Sequence, residues 1–310
     1  MKQQNITITS QNPNSGRQST RKQSSGQEWI KRGLRVMQHF SAPKTAEIIW
    51  NFAVRPHRRK FTAKQVALIE RAETSTIEYR GATLTTYRWG SGARKVLLCH
   101  GWNSRVADFR RMIETLVEAG FTVEGIDMKA HGQSEGKSTA LPEFCEVLQS
   151  YYHEHGPYYA LVGYSMGGLA AGIVTSELSD YLKPEQLIII SAPPYVRYFF
   201  SDLVKKDIGC NEQVYEHMCD LVHHNYDQSI DHFDLREKTS ELSKQNITLI
   251  YDEDDQTVPF QKGQELHRHY PNATWVHTRQ MGHYNIISEH QVIKLITASL
   301  LEESLNPVMV

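Results

Sequence analysis

The sequence predicts an α/β chain: a mostly parallel sheet of eight strands flanked by helices, with a short helical cap inserted late in the order. Three observations predict it. From residue 76 onward, short apolar segments alternate with stretches of helical spacing, the pattern of repeated βαβ units. The strand segments are apolar runs, as expected where helices cover both faces of a sheet. The alternation breaks once, between Pro193 and Lys244, where helical character replaces the next expected strand.

Taken in order, residues 77–80 and 83–88 read as two strands joined at Gly81-Ala82. After Gly90-Ser91-Gly92 the rhythm starts. Strands are expected at 96–99, 121–127, 158–163, 187–191, 247–251 and 273–277. Helices are expected at 107–119, 141–154, 166–178, from 260, and at 291–302. The chain shows no internal repeat. We divide it into a polar tail (1–26), a basic helical segment (27–75), a core (76–192 and 246–310) and a cap insertion (193–245).

The N-terminal part has a different texture. Residues 1–26 are rich in Gln, Ser, Thr and Asn, and are expected to be disordered because they bury too little to offset ordering. From Glu28 to Phe40, apolar residues recur at helical spacing, with Pro43 expected to end that helix and residues 46–53 to form another. Residues 1–60 carry 12 Lys/Arg against 2 Asp/Glu, although the whole chain sums to −1. A basic arm on an acidic body suits an anionic membrane surface, a nucleic acid or the body itself. Residues 28–60 are expected either to contact an anionic membrane peripherally or to dock on the body and hide an apolar patch; the arm lacks a nucleic-acid reading motif, so nucleic acid is not an expected partner. No apolar run is long enough to cross a bilayer. The four cysteines are scattered with no C-x-x-C pair, which reads as reduced thiols and a cytoplasmic location.

The chemistry concentrates at one turn. Gly163-Tyr164-Ser165-Met166-Gly167 fits G-x-S-x-G and lies directly between an expected strand and an expected helix. That context lifts a serine hydroxyl clear of the sheet and sets it beside the positive end of a helix. A five-residue pattern of this kind arises by chance in about one chain in ten of this length, so Ser165 needs company. A serine nucleophile requires a base, and the base an orienting acid. Asp252, Glu253, Asp254 and Asp255 follow the strand at 247–251, and Met281-Gly282-His283-Tyr284 follows the strand at 273–277. The residues alone leave open which acid serves, and whether the cluster is a solvated turn or a cation site. The paired histidines 153/155, 223/224 and 267/269 lack Cys or carboxylate neighbours at ligand spacing, so no metal or other cofactor is expected.

From about Ile77 to Leu301 the chain resembles the α/β-hydrolase superfamily, in its serine esterase and lipase branch. The resemblance rests on Ser165-Met166-Gly167-Gly168, Asp255-Gln256-Thr257-Val258-Pro259, Gly282-His283, and the turns His100-Gly101-Trp102 and Asp127-x-x-x-His131-Gly132-x-Ser134. It implies Ser165 as nucleophile, His283 as base and Asp255 as orienting acid, with Asp252 as runner-up. It implies an oxyanion hole from the backbone N–H groups of Trp102 and Met166. It implies structural roles for His100, Asp127 and His131. Tyr164 stands where many relatives have His, at a position that faces away from the chemistry in that family. Trp102, Tyr195, Tyr198 and Phe199 are the expected acyl-pocket residues.

The function expected is hydrolysis of carboxylic esters with small to medium acyl chains. A lysophospholipase, monoacylglycerol lipase or thioesterase shares these features, and a non-catalytic ligand-binding module on the same fold is the reading from a different class. Oligomeric state is not legible in the sequence.

Overall fold

The computed structural model describes residues 5–10 and 25–302. Its elements in chain order are β1 (Asn5–Thr9), α1 (Ser25–Met37), α2 (Ala42–Ala53), α3 (Ala63–Ile69), β2 (Glu73–Tyr79), β3 (Ala82–Trp89), β4 (Lys95–Cys99), α4 (Arg110–Glu118), β5 (Thr122–Ile126), α5 (Leu141–His155), β6 (Ala160–Tyr164), α6 (Met166–Glu177), β7 (Gln186–Ile190), α7 (Arg197–Ser201), α8 (Glu212–Tyr226), β8 (Asn246–Asp252), α9 (Phe260–His269), β9 (Thr274–Arg279), α10 (Gly282–Asn285) and α11 (His290–Leu300). A π-helical stretch, Asp202–Ile208, continues α7.

The chain divides into two compact units. Of the described residues, the larger holds 5–10, 56–194 and 235–302. Its sheet runs in the order β1-β9-β8-β7-β6-β4-β5-β3-β2. All neighbours are parallel except β3, which is antiparallel to both β2 and β5. The central strands β4, β6, β7 and β8 are apolar and almost wholly buried, as a sheet covered on both faces requires. Between β4 and β6 the chain reverses its direction of travel across the sheet, and in open α/β sheets ligands bind beyond the carboxyl ends of the strands at such a point.

Among the described residues the sheet has nine strands, one more than the sequence predicts. The extra one is β1, inside the segment expected to be disordered. Asn5–Thr9 pairs in parallel with Trp275–Arg279, and Ile8 is buried in the core. Ile6 and Ile8 alternate with polar residues, and that period-2 face packs on the core while the backbone extends the sheet. Residues 1–4 and 11–24 of the expected tail lie outside the described residues.

The smaller unit joins, among the described residues, 25–55 to 195–234. The N-terminal helices and the cap insertion therefore fold together. Trp50 of α2 packs edge-on against Phe200 and obliquely against Tyr226. The Gln38 side-chain carbonyl accepts from the Asn211 N–H at 2.7 Å. Pro43 does not end the first helix. It sits in the first turn of α2, where a missing N–H costs nothing, behind a Ser41 N-cap that accepts from Lys44. Among the described residues no helix is long and apolar enough to cross a membrane.

Candidate active site

Ser165 follows β6 and opens α6 with φ 53° and ψ −125°, a conformation that costs a non-glycine residue about 1–3 kcal/mol. The surroundings over-determine it. The Ser165 N–H donates to the Ile190 carbonyl at 2.8 Å, and the Ser165 carbonyl accepts from Gly168 at 2.9 Å. α6 must start close to the end of β4: a Cβ on Gly167 would stand 2.3 Å from the carbonyl oxygens of Cys99 and His100. The turn after β4 presses equally close, since a Cβ on Gly101 would stand 2.7 Å from that of Ser165. Both glycines are needed for that approach.

His283 enters at the start of α10, after β9. Its Nε2 lies 3.0 Å from Ser165 Oγ and its Nδ1 lies 2.7 Å from Asp255 Oδ2. All three residues are buried. The other oxygen of Asp255 accepts from the backbone N–H groups of Thr257 and Val258, each at 2.8 Å, so the carboxylate is fixed from its own loop. With Nδ1–H donating to Asp255, Nε2 is left to accept the serine proton.

Asp252, the runner-up acid, is occupied elsewhere. Its carboxylate accepts from Thr278 Oγ1 (2.8 Å) and from the N–H groups of Met281 (3.2 Å), Gly282 (2.9 Å) and Asp254 (3.0 Å). It pins the loop that delivers His283. Asp254 adds to this by accepting from the Gln280 N–H at 2.8 Å.

The turn at residues 100–103 is held by two histidines. His100 Nδ1 donates to the Gly101 carbonyl (2.8 Å), and Nε2 accepts from the Met128 N–H (2.9 Å). His131 Nδ1 donates to the Lys129 carbonyl (3.0 Å), and Nε2 accepts from the Asn103 N–H (3.2 Å). Each ring is thus one fixed neutral tautomer. Asp127 ties the adjoining turn through Tyr87, Val106 and Gln133. Arg58 joins them, its guanidinium donating to the carbonyls of Ala130, Gly132, Ser134 and Gly136. In the sequence Arg58 belongs to the basic arm, for which the body itself is one of the three partners that its charge suits; the carbonyls of this turn are the partner it finds.

Trp102 lies in the turn after β4 and Met166 at the first position of α6. No hydrogen bond to a described residue occupies either N–H. The half-buried Trp102 indole packs edge-on to the His131 ring at 5.3 Å. Tyr195, Tyr198 and Phe199 lie in the smaller unit, where their rings contact one another.

Tyr164 departs from the sequence expectation. It does not face away: its ring lies 5.1 Å from that of His283, and its hydroxyl donates to the His283 carbonyl at 3.0 Å. Burial, then the nearby Asp255 charge, hold the phenol well above its ordinary range, so it remains a donor. The position inside the elbow was the only signal in the sequence.

His131 also sets an acid limit. Burial, then the neighbouring His100, push it down to about 3 from an ordinary 6.5. Above about 6.5 both folded and unfolded chains hold it neutral, and its contribution to stability is complete. As pH falls from about 6.5 to about 3, only the unfolded chain takes up the proton, so stability is lost across that window. We expect the thermal midpoint to fall more steeply with acidification in the wild type than in His131→Gln, which is neutral throughout. Equal slopes would contradict this account.

Among the described residues, no group of three or more His, Cys, Asp or Glu side chains converges in a way that could hold a metal ion. The four cysteines are buried and unpaired.

A family model described as serine aminopeptidase, S33, matches residues 91–206. That span includes the Trp102 turn and the Ser165 elbow but neither Asp255 nor His283. No curated protein matches the chain by sequence. Among solved structures, an esterase of Pyrococcus furiosus superposes with a TM-score of 0.60 at 20% identity, covering 80% of this chain and 98% of that one. Mouse alpha/beta hydrolase domain-containing protein 10 gives 0.55 at 16% identity, covering 74% and 98%. A thioesterase domain from the curacin biosynthetic pathway gives 0.53 at 16% identity, covering 74% and 99%. At these identities the likeness is one of fold.

Proposed function

We propose that this chain, which has the α/β-hydrolase fold, is a serine hydrolase that cleaves carboxylic esters through an acyl-enzyme on Ser165. The observation that carries the reading is the buried relay from Ser165 Oγ through His283 to Asp255, at 3.0 and 2.7 Å. His283 Nε2 takes the Ser165 proton as Oγ attacks the acyl carbonyl. Asp255 holds the ring in that tautomer and stabilises the imidazolium. The Trp102 and Met166 N–H groups receive the oxyanion, with the α6 N-terminus behind them. The imidazolium then protonates the departing alcohol. Water, deprotonated by His283, attacks the acyl-enzyme and releases the acid and free Ser165.

The strained backbone at Ser165 supports a reactive rather than a packing role. A panel of chromogenic esters graded in acyl length, with a thioester and an aminoacyl anilide beside it, tests the substrate class. The expected result is the highest kcat/KM on esters of small to medium acyl chain. A maximum on the thioester or the anilide would replace the ester assignment while leaving the nucleophile in place.

A further inference from the structure

Helix α1 is mounted with its apolar face outward. On a helical wheel, Trp29, Ile30, Gly33, Val36, Met37 and Phe40 share one side. Trp29 is 69% exposed and Phe40, just past the helix end, 85%. Ile30 and Val36 are exposed as well. The opposite, charged side is the one turned toward the rest of the smaller unit. The Lys31 side chain is only 18% exposed and pairs with Glu28. The Arg35 side chain lies against Gly209, and Gln38 accepts from the Asn211 N–H. Leu34 alone among the helix's large apolar residues is fully buried. An amphipathic helix at a protein surface ordinarily buries the stripe that this one exposes.

Five of the eight exposed large apolar side chains among the described residues belong to this short stretch: Trp29, Ile30, Val36, Phe40 and, from α2, Phe52. Such a concentration marks an interaction surface. We infer that this face is a lipid-binding surface, seated in the interfacial region of an anionic bilayer. The charge bias selects lipid. Residues 1–60 hold 12 cationic against 2 anionic side chains. The Arg32 guanidinium lies 5.4 Å from the Trp29 ring centroid, at the margin of the apolar face, where a cation meets headgroup phosphate while the indole sits below it. Lys44 and Arg55 are exposed on the following turns. Of the two acidic groups beside Phe40, Glu212 pairs with Lys205 at 2.6 Å, while Glu216 stands 4.0 Å from an Arg197 guanidinium that Asp231 already holds. Of the basic residues that follow, Arg58 is consumed by the carbonyls of residues 130–136 and Arg59 pairs with Asp108 at 3.1 Å. The helix is 13 residues long, which suits lying in the interface and not crossing it.

The test is sedimentation of the full chain with phosphatidylcholine vesicles, with and without phosphatidylserine. Binding to the phosphatidylserine vesicles, weakened by salt, is expected. Trp29→Ser combined with Phe40→Ser should lower the partition coefficient about a hundredfold, each aromatic contributing about tenfold, with an unchanged unfolding midpoint because both are exposed. Brominated lipid should quench the wild-type fluorescence, and Trp29→Phe should remove most of that quenching while still binding. Ser165→Ala should bind as the wild type does, so this surface and the proposed ester hydrolysis fail or stand separately. Absence of vesicle binding overturns the inference. So does a dimer in sedimentation equilibrium that the double variant dissolves without any lipid binding, since a second copy would then be what covers the face.

Discussion

Replacing Ser165 with alanine is expected to lower ester turnover by about 10⁴-fold or more, to the residual rate that backbone N–H donors and substrate binding supply alone. The fold should survive the change. Alanine keeps the Cβ against which Gly101 packs, and the backbone bonds from Ser165 to Ile190 and Gly168 involve no side-chain atom. The lost contact is the single hydrogen bond from Oγ to His283. The thermal midpoint of Ser165→Ala should therefore stay close to that of the wild type while kcat collapses. A loss of activity that tracked a loss of folded protein would point to a packing role for Ser165.

The second large effect separates two aspartates three positions apart. Asp255→Asn should leave stability nearly unchanged, because its amide oxygen still accepts from Thr257 and Val258. Its amide nitrogen then faces His283 Nδ1 and reverses the tautomer, so Nε2 carries a proton and cannot accept one from Ser165. A fall in kcat of about 10⁴-fold is expected. Asp252→Asn should act on stability instead. Asp252 accepts four hydrogen bonds, three of them from backbone N–H groups, and an amide nitrogen cannot accept any. A cost of about 1–3 kcal/mol is expected, with a smaller fall in kcat for the protein that remains folded. Thermal unfolding and steady-state kinetics on both variants decide it. The reverse pattern would move the orienting role to Asp252.

The resemblance to a known family, carried by residue patterns, pointed to Asp255 with Asp252 as runner-up; in the structure Asp255 faces His283, while the Asp252 carboxylate accepts four hydrogen bonds, from its own loop, from β9 and from the turn that follows it. The parallel core was legible because strands such as β7 and β8 are buried on both faces and carry near-continuous apolar runs. β1 was not, because two isoleucines in a polar stretch acquire meaning only when β9 offers an edge to pair with. Pro43 was misread because one residue type can end one helix or open the next, and Ser41 settles which. Tyr164 was misjudged because a position in a turn says nothing of which distant loop its ring will touch. The periodicity of α1 was visible in the sequence, but periodicity fixes only that a helix has two faces. Which of them turns to solvent is decided by Asn211 and Gly209, more than 170 positions away.

The central claim is that Ser165 is an activated nucleophile, and covalent trapping tests it most directly. The intact mass of the protein after exposure to a fluorophosphonate should rise by one adduct, and peptide mapping should place that adduct on Ser165. His283→Ala should suppress the reaction. Finding no adduct on the folded wild-type chain, or finding it on another residue, would contradict the account and favour a ligand-binding module built on a hydrolase fold.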